Sequence, residues 1–201
     1  NSSEKDLNEI TNVSLSIGKQ FGVVNTDIAY RVNNLNQDLD STFGGVDDPN
    51  FNSNSKQELI SVKVDSPIGL NTNSSILYTR SSLIRETDNT VDSTDTVNTE
   101  DTRYEGLIEK IELRNHVLIN DNWTMGFGLD AKTEYGEYKD TRDYGFGEST
   151  DQLSEQVQNM YGAYVQESWG YKLFSIKAGG RLESYSDSKT VNTYSFTAAQ
   201  F

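Results

Sequence analysis

The chain has no cysteine, which excludes a disulfide-stapled scaffold, a thiolate metal site and a cysteine nucleophile. It has a single histidine, His116; that argues against a Ser-His-Asp triad and excludes a multi-histidine zinc site. Only two prolines occur, Pro49 and Pro67, each beside turn-like residues. No stretch approaches the roughly 20 apolar residues of a membrane-spanning helix, and no N-terminal apolar run reads as a signal peptide. Bases are scarce: 17 Lys and Arg stand against 31 Asp and Glu, for a net charge of −14. That balance is unfavourable for a nucleic-acid partner. Capped amphipathic stretches of helical period are missing too. The chain opens at Asn1 in polar sequence without Met, as expected of a cut piece or a mature segment.

What is present is aromatic content and alternation. Eleven Tyr, eight Phe and two Trp argue against disorder despite a hydrophobic fraction of 34%. Apolar and polar residues alternate with period two in run after run. Val13, Leu15 and Ile17 alternate with Asn12, Ser14, Ser16 and Gly18, and Ile60, Val62 and Val64 with Ser61, Lys63 and Asp65. The clearest run sets Trp123, Met125, Phe127, Leu129 and Ala131 against Thr124, Gly126, Gly128, Asp130 and Lys132. Successive strand side chains point to opposite faces, so each run has one apolar and one polar face. Glu109 interrupts the otherwise apolar face of Leu107, Ile111, Leu113 and Val117.

The pattern predicts nine strands, at about 8–21, 23–37, 55–67, 71–86, 103–119, 122–138, 154–169, 171–186 and 190–201. Tight turns at 21–22, 67–70, 120–122 and 170–171 alternate with long polar loops at 38–54, 86–103 and 139–153. The expected fold class is therefore all-β: an antiparallel up-and-down meander of about nine long strands, part of a transmembrane β-barrel. Soluble sandwich strands are shorter, about 5–6 residues. Residues 38–54, 86–103 and 137–155 together carry a net charge of −13, as solvated loops at one end would. Phe21, Trp123, Trp169, Tyr171 and Phe174 gather at the short turns, where an interfacial aromatic girdle belongs. The apolar faces are expected to point outward to lipid and the polar faces inward.

The hairpin from Asn159-Met160-Tyr161-Gly162-Ala163-Tyr164-Val165-Gln166-Glu167-Ser168-Trp169 to Lys172-Leu173-Phe174-Ser175-Ile176-Lys177-Ala178-Gly179-Gly180-Arg181-Leu182-Glu183-Ser184-Tyr185-Ser186-Asp187 carries a family signature. It resembles a recurring hairpin of TonB-dependent outer-membrane receptors, in the vitamin B12 and siderophore receptor branch. Gly180 and Leu182 depart slightly from that pattern, and only this hairpin is specific. The resemblance implies that residues 1–201 are a slice of a receptor barrel without its plug domain, since such transporters close with 22 strands. It also implies location in the outer membrane of a Gram-negative bacterium and uptake of a scarce solute such as cobalamin or a ferric siderophore. The implied partners are outer-membrane lipid, the solute, and the TonB energising complex acting through the plug domain. Two other readings stay open: a small self-contained outer-membrane barrel with a structural or adhesive role, and a soluble carbohydrate-binding β-protein. An enzyme reading has no residue set to carry it.

One constellation has metal-site chemistry. Asp38, Asp40, Asp47 and Asp48 could supply oxygens to Ca²⁺, which takes six to eight. The spacing matches no EF-hand, and a solvated acidic loop is the preferred reading; the resemblance adds weight to calcium, since some vitamin B12 receptors order their outer loops with it. His116 falls on the polar face with Lys110, Glu112 and Arg114, where it would meet a lumen rather than a reaction.

Overall fold

The computed structural model describes residues 8–39, 50–91, 98–187 and 190–200. They form one nine-stranded antiparallel sheet in chain order: β1 (Asn8–Phe21), β2 (Val24–Asp38), β3 (Asn52–Ile68), β4 (Thr72–Asn89), β5 (Asn98–Asn120), β6 (Trp123–Tyr144), β7 (Ser149–Tyr171), β8 (Phe174–Tyr185) and β9 (Val191–Gln200). Every connection is a hairpin. The two-residue links Gly22-Val23, Asp121-Asn122 and Lys172-Leu173 and the longer turn at 69–71 therefore share one end of the sheet. The links at 39–51, 90–97, 145–148 and 186–190 share the other. Gly22 and Gly69 take left-handed φ of 62° and 72°, which glycine adopts without a steric cost. Among the described residues β1 pairs only with β2 and β9 only with β8, so the sheet is open.

The strands run longer than the alternation alone indicates. β5 and β7 each hold 23 residues and β6 holds 22. The expected loop at 139–153 shrinks to four residues, 145–148, and the loop at 86–103 to 90–97. The physical reason is cross-strand charge matching within polar sequence. Arg142 lies 2.9 Å from Asp140 on its own strand and 3.5 Å from Glu100 on β5. Arg103 pairs with both Glu86 and Glu105. Part of the acidity read as loop charge is therefore ladder charge, with Arg103 and Arg142 set among its carboxylates. At the tip, the Asp143 carboxylate accepts the amides of Gly145 (2.7 Å) and Gly147 (3.1 Å) and closes the hairpin. The turn expected at 170–171 falls at Lys172-Leu173 instead, with Lys172 at φ 53°.

Among the described residues no second layer covers this sheet, and the faces are inverted relative to a water-soluble fold. Leu15, Ile17, Leu129 and Phe196 are 68%, 66%, 59% and 71% exposed, whereas Asp130 and Glu112 are 7% and 9% exposed. Only Phe51 and Met160 are buried apolar residues among those described. The apolar sets Val13/Leu15/Ile17, Ile60/Val62/Val64 and Trp123/Met125/Phe127/Leu129 share one face and meet no partner sheet, as the alternation predicts. No helix of the described residues is long and apolar enough to cross a membrane, a criterion that does not bear on strands.

Candidate functional site

The polar face is concave: side chains from β3 (Gln57), β6 (Glu134) and the turn after β8 (Asp187) line one depression. Its chemistry is built from the strand period. Residues two apart lie on the same face, so ion pairs form along single strands. Glu112 sits between Lys110 and Arg114 and contacts both. Lys132 lies 2.8 Å from Glu134. Arg181 Nε donates to Glu183 at 2.6 Å, and the Tyr185 hydroxyl donates to the other Glu183 oxygen at 3.0 Å.

Glycines position two contacts across strands. Arg181 on β8 reaches over β7 to Asp130 on β6, and Gly162 is the residue it passes. A Cβ at Gly162 would lie 2.6 Å from Asp130 Oδ1 and 2.8 Å from Arg181 Nη2. Likewise, Tyr164 on β7 lies over Gly128, its ladder partner on β6. Gly128 and Gly162 thus mark where neighbouring side chains cross. The sequence shows them as alternation partners but not which side chains use the space.

His116 faces the concave side, as its phase predicts, opposite Gly126 and Asn73. It lines a depression near the short-turn end with Arg114, Lys177 and Asp65. Asp38 ends β2 opposite Asn52. Asp40, Asp47 and Asp48 lie outside the described residues, and the calcium expectation with them. Among the described residues no group of three or more His, Asp or Glu converges on a point.

On the convex face the apolar band has two visible borders. At the short turns, Trp123 and Trp169 are ladder partners, Trp169 stacks on Tyr171 with centroids 6.1 Å apart, and Lys172 Nζ lies 5.2 Å from the Tyr171 ring. About ten residues along the strand, the length a tilted strand needs to cross a bilayer, Arg80 and Glu109 face each other in the ladder. The Tyr78 hydroxyl donates to Glu109 at 2.8 Å, so the residue that interrupts the apolar face of β5 marks its edge. Beyond that border, Tyr135 donates to Glu137 at 2.7 Å. This bond pushes the Tyr135 hydroxyl up to about 12. Burial and donation to Asp140 push Tyr138 up as well.

No protein-family model matches the sequence, and no curated protein is similar to it. Solved structures do match. The ferric yersiniabactin uptake receptor FyuA from Yersinia pestis superposes with TM-score 0.68 and 13% identity, over 96% of this chain and 34% of that one. The ferric-catecholate import receptor Fiu from E. coli K12 gives TM-score 0.66 and 12% identity, over 98% and 40%. The RagAB peptide importer gives TM-score 0.66 and 9% identity, over 95% and 30%. The chain thus spans about a third of the length of these proteins. It has the fold of a segment of a TonB-dependent receptor barrel, as the 159–187 hairpin implies.

Proposed function

We propose that this chain forms part of the barrel wall of an outer-membrane uptake receptor in a Gram-negative bacterium. The observation that carries the reading is the inverted burial on a nine-stranded meander: ions on the concave side, Leu, Ile, Val and Phe on the convex side. Lipid is the solvent that such a convex face requires. The barrel fold is common to receptors and importers of known structure, and with it comes the proposal of energised uptake. The solute is a small molecule or metal chelate, a ferric siderophore or a cobalamin. The energising partner is the TonB complex, acting through a plug domain outside this chain. The reading is one of transport, with the wall binding and guiding solute rather than transforming it. Calcium held by Asp38, Asp40, Asp47 and Asp48 belongs to the same proposal as a loop-ordering ion. Equal calorimetric heats with Ca²⁺ for the wild type and for Asp40→Ala plus Asp47→Ala would remove it.

Orientation supplies the test. Phe146 at the tip of the β6–β7 hairpin and Leu70 in the β3–β4 turn are both fully exposed, at opposite ends of the sheet. The expected result for the full-length protein on intact cells is that Phe146→Cys reacts with a membrane-impermeant maleimide. Leu70→Cys should react only after the outer membrane is opened. Equal labelling of both positions on intact cells would overturn the reading.

A further inference from the structure

Gly106 on β5 and Gly136 on β6 are direct ladder partners, and both lie in the concave phase. Their missing side chains leave bare backbone as the floor of a depression of about 600 Å³, within the size of a small-molecule site. The two glycines differ. A Cβ at Gly106 would sit 2.9 Å from the hydroxyl of Tyr104, whose ring lies along the wall over it, whereas a Cβ at Gly136 would meet nothing within 4 Å. Beside them the β6–β7 ladder steps from Gly136↔Gln156 to Tyr138↔Leu153. This bulge sits at the rim of the depression, and bulges re-aim side chains where a site needs it.

The side chains around this floor are mixed: Leu83, Leu107, Ile108 and Val157 supply apolar surface, and the polar ones share a chemistry. Three carboxamides, Gln57, Gln156 and Gln158, each offer donors and an acceptor. Tyr104 adds a ring face and a hydroxyl, and Glu134 and Asp187 add acceptors. Among the described residues no Lys, Arg or His lines the depression. The cations beside it are Lys132, held by Glu134 at 2.8 Å, and Arg85, opposite Tyr104 in the ladder. The depression nearer the short turns is different, lined by Arg114, His116 and Lys177. Among the described lining residues an anion would find two carboxylates and no base, with Arg85 standing on the long-loop side of the floor. A neutral solute with amide or hydroxyl groups would meet matched partners, and an unmatched buried polar group is costly.

We infer that the Gly106–Gly136 depression is a subsite for an uncharged solute bearing amide or hydroxyl groups. The inference rests on the uptake reading and narrows it, selecting uncharged chelates or an amide-bearing corrinoid over anionic chelates. The test is calorimetry on the full-length receptor in detergent with three probes: an uncharged ferric trihydroxamate, cyanocobalamin and the trianionic ferric tricatecholate. One uncharged probe should bind at least tenfold tighter than the trianion. Gly136→Trp, which fills the open space, should weaken that probe at least tenfold. Gln156→Leu with Gln158→Leu, at the rim of the wall, should weaken it with an unaltered melting transition, which keeps the test valid if the tryptophan variant fails to assemble. The inference is overturned if the trianion binds as tightly, if neither uncharged probe binds, or if both the tryptophan and the double glutamine variants bind like wild type. A receptor that passes the Phe146 labelling test yet fails these comparisons defeats the subsite alone; failure of the labelling test defeats the uptake reading beneath it.

Discussion

Arg181 Nη2 lies 2.9 and 3.0 Å from the two carboxylate oxygens of Asp130, two strands away. The Asp130 side chain is 2% exposed, so this guanidinium is its charge partner inside the wall. Removing one member of a buried pair leaves an uncompensated charge and costs about 3–5 kcal/mol, whereas replacing both by apolar groups is often neutral. Arg181→Met should therefore destabilise the full-length receptor in urea unfolding from phospholipid vesicles. Arg181→Met combined with Asp130→Leu should recover most of the loss. A double variant as unstable as the single one would contradict this.

Gly162→Ala should act in the same direction with less force. The added methyl displaces the ends of two flexible side chains rather than backbone. The expected loss is about 1–3 kcal/mol, the scale of one hydrogen bond to a charged group. Additivity between Gly162→Ala and Arg181→Met would show that the glycine serves some other purpose, since coupled residues depart from additivity.

Substitutions on the two faces should have opposite consequences. Phe127 is on the convex face of β6, and its ladder partner on β7 is Val165. Phe127→Arg should cost about 2–4 kcal/mol if lipid covers the middle of the band. Gln166→Arg, one residue along β7 from Val165 and facing the concave side, should be close to neutral in the same unfolding assay.

Tyr135 gives a prediction in pH. Its hydroxyl donates to the Glu137 carboxylate, and ionisation would set two negative charges side by side. The pKa is raised in the folded state, so the contribution of this bond is complete below the ordinary value of 10.0 and is lost as pH climbs through about 12. In a difference titration of tyrosinate absorbance, wild type minus Tyr135→Phe should rise only above about pH 11. Glu137→Gln should move that step back towards pH 10.

Strand number, phase and the common end of the short turns were legible because period two is a backbone property that tertiary context does not alter. Trp123, Phe127 and Leu129 announced their face without reference to any other strand. The outer halves of β5, β6 and β7 were not legible as strands. Asp140, Arg142 and Asp143 read as loop residues until Glu100 stands opposite Arg142, and such matching depends on register between segments about 40 positions apart. The wall depression was hidden for the same reason. Gly106 and Gly136 are ordinary glycines until the ladder sets one against the other. Glu109, an irregularity in sequence, became intelligible once Tyr78 and Arg80 were found across from it.

The inverted sheet also has a consequence for biogenesis. A chain that exposes Leu, Ile and Phe on one side and keeps its ions on the other has no apolar interior for water to condense it around. Released in an aqueous compartment, its finished strands would present sticky faces and unpaired edges, a route to aggregation. On the proposed reading, ordering and insertion would be one event, since hydrocarbon is what covers the apolar face. Speed of delivery, more than equilibrium stability, would decide how much of the protein reaches its destination.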